Sequence, residues 1–388
     1  KHTEMGKLHR PGFPDGPTAS KGSSVSRPAH DHLQKDTPDD VICRDLLRWF
    51  DAHQRSMPWR ETRDPYRIWL SEVMLQQTQV DTVIPYYNRF VQRYPQLHNL
   101  AQAPEEEVLK LWEGLGYYRR CHHFIQAVRD VQVRYGGTVP DDPDAFRALP
   151  GVGDYTTAAV LSIAYGRVLP VVDGNVIRVM TRVFRISGDV GKAGTKKQIH
   201  AAMGRIMSHE RPGDFNQAVM ELGALVCTPR KPRCGSCPIV ERCGAFLHDE
   251  TSRYPLIEKK AKVPEYKVGL ALIFNDGRFL IQKRPSSGHL AGLWELPGGK
   301  AGPDETVEQA LLRKCREDLG LDVDIREFLG DARHVYSHFK IHVTVYRCHI
   351  GTQQEKALRH QPLAWILEKD IDRYPFPAAN HRLFKKIF

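Results

Sequence analysis

The 388-residue chain has no apolar run near the roughly 20 residues that a membrane-spanning helix needs. No membrane partner is expected. Its first stretch, Lys1 to about Asp36, holds Lys, His, Gly, Pro and Ser but not the apolar core of a signal peptide. Without an export signal the expected compartment is reducing, which excludes a disulfide framework. The eight cysteines are then thiols or metal ligands. No internal repeat is visible, so a solenoid is excluded. An excess of negative charge is also absent. The formal net charge is +10, which favours a polyanionic partner without requiring one.

What is present divides the chain into four parts. Residues 1–38 read as a disordered basic tail, inert or touching phosphates. Residues 39–246 carry helix-length apolar periodicities separated by Pro, Gly and Asp, as in Tyr66–Val80, Glu105–Leu111, Thr156–Tyr165 and Val176–Phe184. Residues 247–265 are polar, with Pro255 and Pro264, and read as a linker. Residues 266–388 change texture. Val268–Phe274 and Arg278–Lys283 look like strands joined by Asn275-Asp276-Gly277, a tight hairpin signal. A helix over Thr306–Leu319 and strands near Val323–Phe328 and Ile341–Cys348 follow. The expected fold is multidomain, with an all-α domain before a smaller α+β domain.

Four cysteines, Cys227, Cys234, Cys237 and Cys243, are spaced C-x6-C-x2-C-x5-C. Four thiolates so close suit a four-iron cluster or zinc, with unliganded thiols as the plain alternative. Arg230, Lys231, Arg233 and Arg242 interleave them and could meet phosphates. Cys43, Cys121, Cys315 and Cys348 are scattered and read as core.

Leu149-Pro150-Gly151-Val152-Gly153 separates two helical stretches. Its two glycines leave backbone N–H groups at a helix start, which is either a phosphate site or an ordinary turn. Asp173 opens the helix that follows Val171-Val172, and an N-cap accounts for it well. The same helix start should lower the Asp173 pKa and hold it anionic. Glu72 is the one acid in the apolar run from Trp69 to Val80. It is either a solvated-face glutamate or a buried acid that keeps its proton near neutral pH. Glycosidic cleavage uses such a pair, a proton donor and an anion beside a cationic sugar.

Near the C-terminus, Gly299, Glu305, Arg313, Glu317, Asp318 and Gly320 fit the Nudix pattern, but Lys314 stands where an acid belongs. A cation among metal-binding carboxylates repels magnesium, so pyrophosphate hydrolysis is not expected.

From about Asp39 onward, these motifs and their order resemble the adenine DNA glycosylases of the MutY type, within the endonuclease III helix-hairpin-helix superfamily. The resemblance implies an all-α glycosylase domain with a [4Fe–4S] loop, held by the four cysteines, followed by a Nudix-like domain that reads 8-oxoguanine. It implies double-stranded DNA as partner, with adenine opposite 8-oxoguanine or guanine, and a monomer. The compartment would be bacterial cytoplasm, or nucleus or mitochondrion in a eukaryote. By the same resemblance Glu72 is the general acid and Asp173 stabilises the sugar cation. Tyr155 supports the transition state where bifunctional relatives carry a lysine, and Tyr155 cannot form a Schiff base. Gly151, Gly153 and Asn175 contact DNA, although Asp154 departs from the basic residue often found there. Tyr117 and Gln77 enter the base stack, and Trp59, Arg60 and Gln217 form the adenine pocket, with Arg55 a weaker candidate. Ser337 and His338, in His334-Val335-Tyr336-Ser337-His338, read the oxidised base, with Tyr336 where the family has Phe. The linker has no cysteine, so the zinc site of some animal members has no ligands here.

Overall fold

Twelve α-helices precede the first strand among the residues that the computed structural model describes, 37–258, 263–286, 288, 290–336, 339–351 and 362–388. Helix α1 (Pro38–His53) begins one residue inside the stretch assigned to the tail. Then come α2 (Pro65–Leu75), α3 (Val80–Arg93), α4 (Leu97–Ala101), α5 (Glu105–Trp112) and α6 (Tyr118–Arg134). They are followed by α7 (Pro143–Arg147), α8 (Asp154–Tyr165), α9 (Gly174–Val183), α10 (Ala193–Ile206), α11 (Pro212–Leu225) and the short α12 (Gly244–Leu247). No described helix is long and apolar enough to cross a membrane.

These helices bury two apolar cores. One gathers Trp69, Phe90, Trp112, Phe124 and Phe146, and the other Leu46, Phe50, Met180, Phe215 and Leu222. A small cluster of Ala158, Ala159 and Val171, with Tyr155 and Met220 against it, joins α8 to α11. Of the catalytic candidates, Tyr155 sits on this bridge.

Helix α2 starts where its residues dictate. Asp64 accepts from the N–H groups of Tyr66 (2.8 Å) and Arg67 (3.2 Å), and Pro65 takes the first helical position. It does not run to Val80, as apolar periodicity predicts. It ends at Leu75, and Gln77 takes φ 58°. The cause is distant in sequence: Arg120 Nη1 donates to the carbonyls of Val73 (2.8 Å), Met74 (2.8 Å) and Gln76 (2.5 Å). A helix end leaves such carbonyls unpaired, and one guanidinium on α6 satisfies them.

The α7–α8 turn has a backbone that only glycine serves. Gly151 takes φ 72°, and a Cβ there would lie 2.5 Å from His123 Cβ.

After the helices come β1 (Glu265–Asn275), β2 (Arg278–Lys283), β3 (Trp294–Glu295), β4 (Gly298–Lys300), α13 (Val307–Lys314), β5 (Val323–Val335), β6 (Lys340–Ile350), β7 (Leu363–Ile366) and α14 (Ala378–Ile387). Asp276 and Gly277 both take positive φ, 46° and 75°, as a tight hairpin of this hand requires. The strand order is β3-β2-β1-β6-β5, with β4 on β1 and β7 on β2. β1 and β6 are parallel, from Glu265↔Lys340 to Ile273↔Cys348. β5 and β6 are longer than their apolar runs suggested, because their ladder continues to Val335↔Lys340 through polar residues. Thr306 caps α13 in a capping box with Gln309, and a π-turn over Cys315–Leu319 completes the predicted helix.

The linker is only partly free of the helical domain. Tyr254 is buried, its carbonyl accepts from Arg182 Nε (3.1 Å), and Val190 N–H donates to Leu256 O (3.1 Å). The two regions also meet directly, within the one body that Pro38–Phe388 forms. Glu113 accepts from Phe376 N–H (2.7 Å) and pairs with His381 Nε2 (2.6 Å) and Lys110 Nζ (2.5 Å). Trp294 Nε1 donates to Glu106 (2.5 Å), and His122 lies between Glu105 (2.6 Å) and Ala291 O (2.8 Å).

Candidate active site

Glu72 projects from α2 and is 5% exposed. Tyr155, in the first turn of α8, donates its hydroxyl to Glu72 Oε2 at 2.6 Å. Burial pushes the Glu72 carboxyl up to about 7. Tyr155 and Arg60 pull it down, and the nearby charge of Asp173 pushes it further up. The solvated-face alternative for Glu72 is therefore wrong: the group is enclosed and keeps its proton near neutrality.

Asp173 is the N-cap of α9. Its Oδ1 accepts from Val176 N–H (2.7 Å) and its Oδ2 from Asn175 Nδ2 (3.0 Å). The cap is as expected, but the pKa direction is not. Burial outweighs the cap bonds and raises the Asp173 carboxyl above its ordinary value. The Asp173 charge is one of the causes that raise Glu72. A proton held on Glu72 beside an anion at Asp173 is the division of labour that two carboxylates at one centre need. Asn175 is itself fixed, accepting from Arg178 Nη2 at 2.8 Å.

Arg60, in the turn before α2, and Gln217, on α11, line one cavity together with Arg63 and Asp214. Gln217 is buried, and its Oε1 accepts from Arg60 Nε at 3.1 Å. Trp59 is 6% exposed and stands edge-on to Tyr87 (5.3 Å), as part of the core. Arg55 and Arg60 both grip Glu221, a buried carboxylate that sequence reading missed, although an acid inside the apolar run of α11 was a visible signal. Met220 was missed too, and its Sδ lies 3.8 Å from the Tyr155 hydroxyl.

The DNA-facing candidates gather elsewhere. A cleft of about 1010 Å³ runs between the two regions, lined by Gln77, Tyr117 and Gly151 on one side and His334 and Tyr336 on the other. Tyr117 takes φ 49° and is 41% exposed. Arg120 holds this rim together. Besides the α2 carbonyls it donates to Thr78 Oγ1 (3.2 Å) and Gly116 O (3.2 Å), and it lies 5.3 Å from the Tyr117 ring. Gly153 N-caps α8 with open space around it. Asp154 pairs with Arg147 at 3.0 Å. Ser337 and His338 lie outside the described residues.

Among the described residues, no three His, Cys, Asp or Glu side chains converge as ligands of one ion. Cys227, Cys234, Cys237 and Cys243 instead surround one cavity walled by Val179, Leu222, Val226 and Ile239. Zinc would need sulfurs about 2.3 Å from a single centre, whereas a four-iron cluster occupies a volume between four thiolates. The donor set fits the larger group. Arg182, buried in α9, lies 3.3 Å from Cys227 Sγ and also donates to Thr228 O (2.8 Å) and Pro229 O (2.9 Å).

In the second region the Nudix carboxylates are occupied by cations of the chain. Glu305 takes two bonds from Arg313 (2.8 Å each), and Lys314 Nζ sits against Asp318 (2.8 Å) and Glu317 (3.4 Å).

A helical hairpin, a buried acid pair and a four-cysteine loop together define a base-excision DNA glycosylase. Comparison agrees. Residues 70–206 match the model of the HhH-GPD superfamily base excision DNA repair proteins, 227–243 the iron-sulfur binding domain of endonuclease III, and 269–386 the NUDIX domain. The chain is 36% identical to the adenine DNA glycosylase of Mus musculus over 91% of this chain and 79% of that one. It is 33% identical to that of Homo sapiens, over 91% and 75%. It belongs to the adenine DNA glycosylase family. A solved thermostable thymine-DNA glycosylase superposes with TM-score 0.50 at 30% identity, covering 54% of this chain and 97% of that one. The cofactor of the chain is a [4Fe–4S] cluster.

Proposed function

We propose that the chain excises adenine mispaired with 8-oxoguanine or guanine in duplex DNA, by hydrolysis of the N-glycosidic bond. The supporting observation is the buried pair: Glu72, its carboxyl pushed up by burial and bonded to Tyr155, and Asp173 capping α9. The target base must leave the helix to reach so enclosed a group, and Tyr117 and Gln77 stand at the cleft to fill the gap. Glu72 gives its proton to adenine N7, which turns the base into a neutral leaving group. The N9–C1′ bond breaks with its electrons moving into the base. Asp173 faces the cationic sugar, and Asn175 holds it there. Water then adds at C1′ and gives its proton to the Glu72 carboxylate, which restores the acid. Tyr155 occupies the position where an amine nucleophile would be needed for strand cleavage, so the product is an intact strand with an abasic site. The chain acts as a monomer.

Cys227, Cys234, Cys237 and Cys243 would hold the cluster, and their loop sets Arg230, Lys231, Arg233 and Arg242 for phosphates. The backbone N–H groups of Gly151 and Gly153 serve the same end at the hairpin. Ser337 and His338 read the oxidised base from a domain whose Lys314 occupies the place of a metal. Ser337→Ala should reduce the preference for 8-oxoguanine over guanine by about tenfold while A:G cleavage persists. An unchanged preference would remove Ser337 from this role.

The deciding experiment is single-turnover cleavage of a duplex with one adenine opposite 8-oxoguanine, with alkali added afterwards. Adenine release, with strand breaks only after alkali and none in Glu72→Gln or Asp173→Asn, supports the reading. Efficient trapping of an enzyme–DNA adduct by borohydride would overturn it.

A further inference from the structure

Glu221 lies on α11 one turn beyond Gln217 and is 2% exposed. A buried carboxylate persists only if its charge is met. Arg55 meets it three times, through its backbone N–H (3.0 Å), Nε (2.9 Å) and Nη2 (2.8 Å). Arg60 adds Nη1 (3.2 Å) and Nη2 (3.1 Å). Arg60 Nη1 also donates to Arg55 O (3.0 Å), and a further donor of Arg60 is Nε. It points at Gln217, 3.1 Å from Oε1.

This last bond has a chemical consequence. A guanidinium N–H donates and never accepts. Gln217 must therefore turn its carbonyl toward Arg60, and its amide orientation is not free. What it offers a ligand is its NH2 donor beside the second lone pair of a fixed carbonyl, two functions whose places cannot be exchanged. Met220, on the same stretch of α11, reaches the Tyr155 hydroxyl that holds Glu72, and the charge of Arg60 acts on Glu72. Arg60 and Gln217 line one cavity, and these contacts set it next to the catalytic pair.

We propose that Glu221 is the positioning residue of the base pocket: acting through Arg60, it sets the hydrogen-bond polarity of Gln217. The pocket then accepts a base edge that offers a ring-nitrogen acceptor to the Gln217 NH2 and repels one that offers N–H at that point. The pairing edge of adenine offers N1 as an acceptor, whereas that of guanine offers N1–H. The proposal rests on the adenine-excision reading and adds to it which residues select the base.

The test uses the full-length, iron-loaded chain and two duplexes, one with adenine and one with 1-deazaadenine, each opposite 8-oxoguanine. The readout is the ratio of their single-turnover rates in each variant, so intrinsic differences in base reactivity cancel between variants. Glu221→Gln should lower the adenine preference about tenfold. In a Gln217→Ala background it should lower the preference no further, because the two residues act in series. Arg60→Lys keeps a cation but loses the planar fork, and should lower the preference likewise. It decides alone if Glu221→Gln does not fold. A ratio unchanged in both variants, or a full additional loss in the Gln217→Ala background, would overturn the proposal and leave adenine excision standing. A wild-type chain that releases no adenine would remove both.

Discussion

At Glu72 the chemistry depends on a proton that burial retains, and this sets the pH dependence. With the carboxyl pushed up to about 7, single-turnover cleavage should hold below that pH and fall roughly tenfold per unit above it. The Tyr155 hydroxyl stabilises the anion of Glu72, so removing it must raise the pKa further. Tyr155→Phe should therefore move the alkaline limb to higher pH, and a pH–rate profile of the two proteins checks the sign. Asp173 serves both as cap and as catalytic anion, and the two roles separate by substitution. Asn still caps a helix, so Asp173→Asn should change stability by about 0.5 kcal/mol or less while turnover is lost. Thermal unfolding beside a DNA-binding titration would show a folded, binding, inactive protein; an active one would exclude the catalytic role.

Among the elements, the α7–α8 hairpin separates two glycines that look alike in sequence. Gly151 has positive φ and no room beside His123, whereas Gly153 has extended backbone and open surroundings. Gly151→Ala should destabilise by about 1–3 kcal/mol and weaken DNA binding, and Gly153→Ala should do much less to stability. Denaturant midpoints compare them. The elements were legible in sequence where local chemistry specifies them: the helix that starts at Thr306, the Asn275-Asp276-Gly277 turn and the strand-like runs on either side of it. The break at Leu75 was not legible. Its cause is Arg120, which supplies a helix end 44 residues away in sequence with the donors it lacks.

Across the whole molecule, one carboxylate of the helical region carries much of the junction. Burial alone would raise Glu113, but His381, Lys110 and the Phe376 N–H outweigh it and hold it below its usual value. A depressed carboxyl stabilises the fold above its unfolded pKa, and that contribution fades as pH falls through the lower folded value. Glu113→Ala should therefore unfold in two calorimetric transitions at neutral pH, where wild type shows one. The difference between them should shrink toward acid pH. Matching single transitions at pH 7 would show that the junction does not depend on Glu113.

Sequence alone determined the class of chemistry: the residue types at 72, 155 and 173, the cysteine spacing and the lysine in the Nudix pattern are local facts that carry their own reasons. Only the tertiary structure decided the electrostatics. The degree of burial of Glu72 and Asp173, the grip of two arginines on Glu221, and the orientation of Gln217 depend on side chains that meet from α1, α2, α8, α9 and α11 or the turns beside them. A pKa and a hydrogen-bond polarity are set by whatever surrounds a group in space, which the order of residues along the chain does not record.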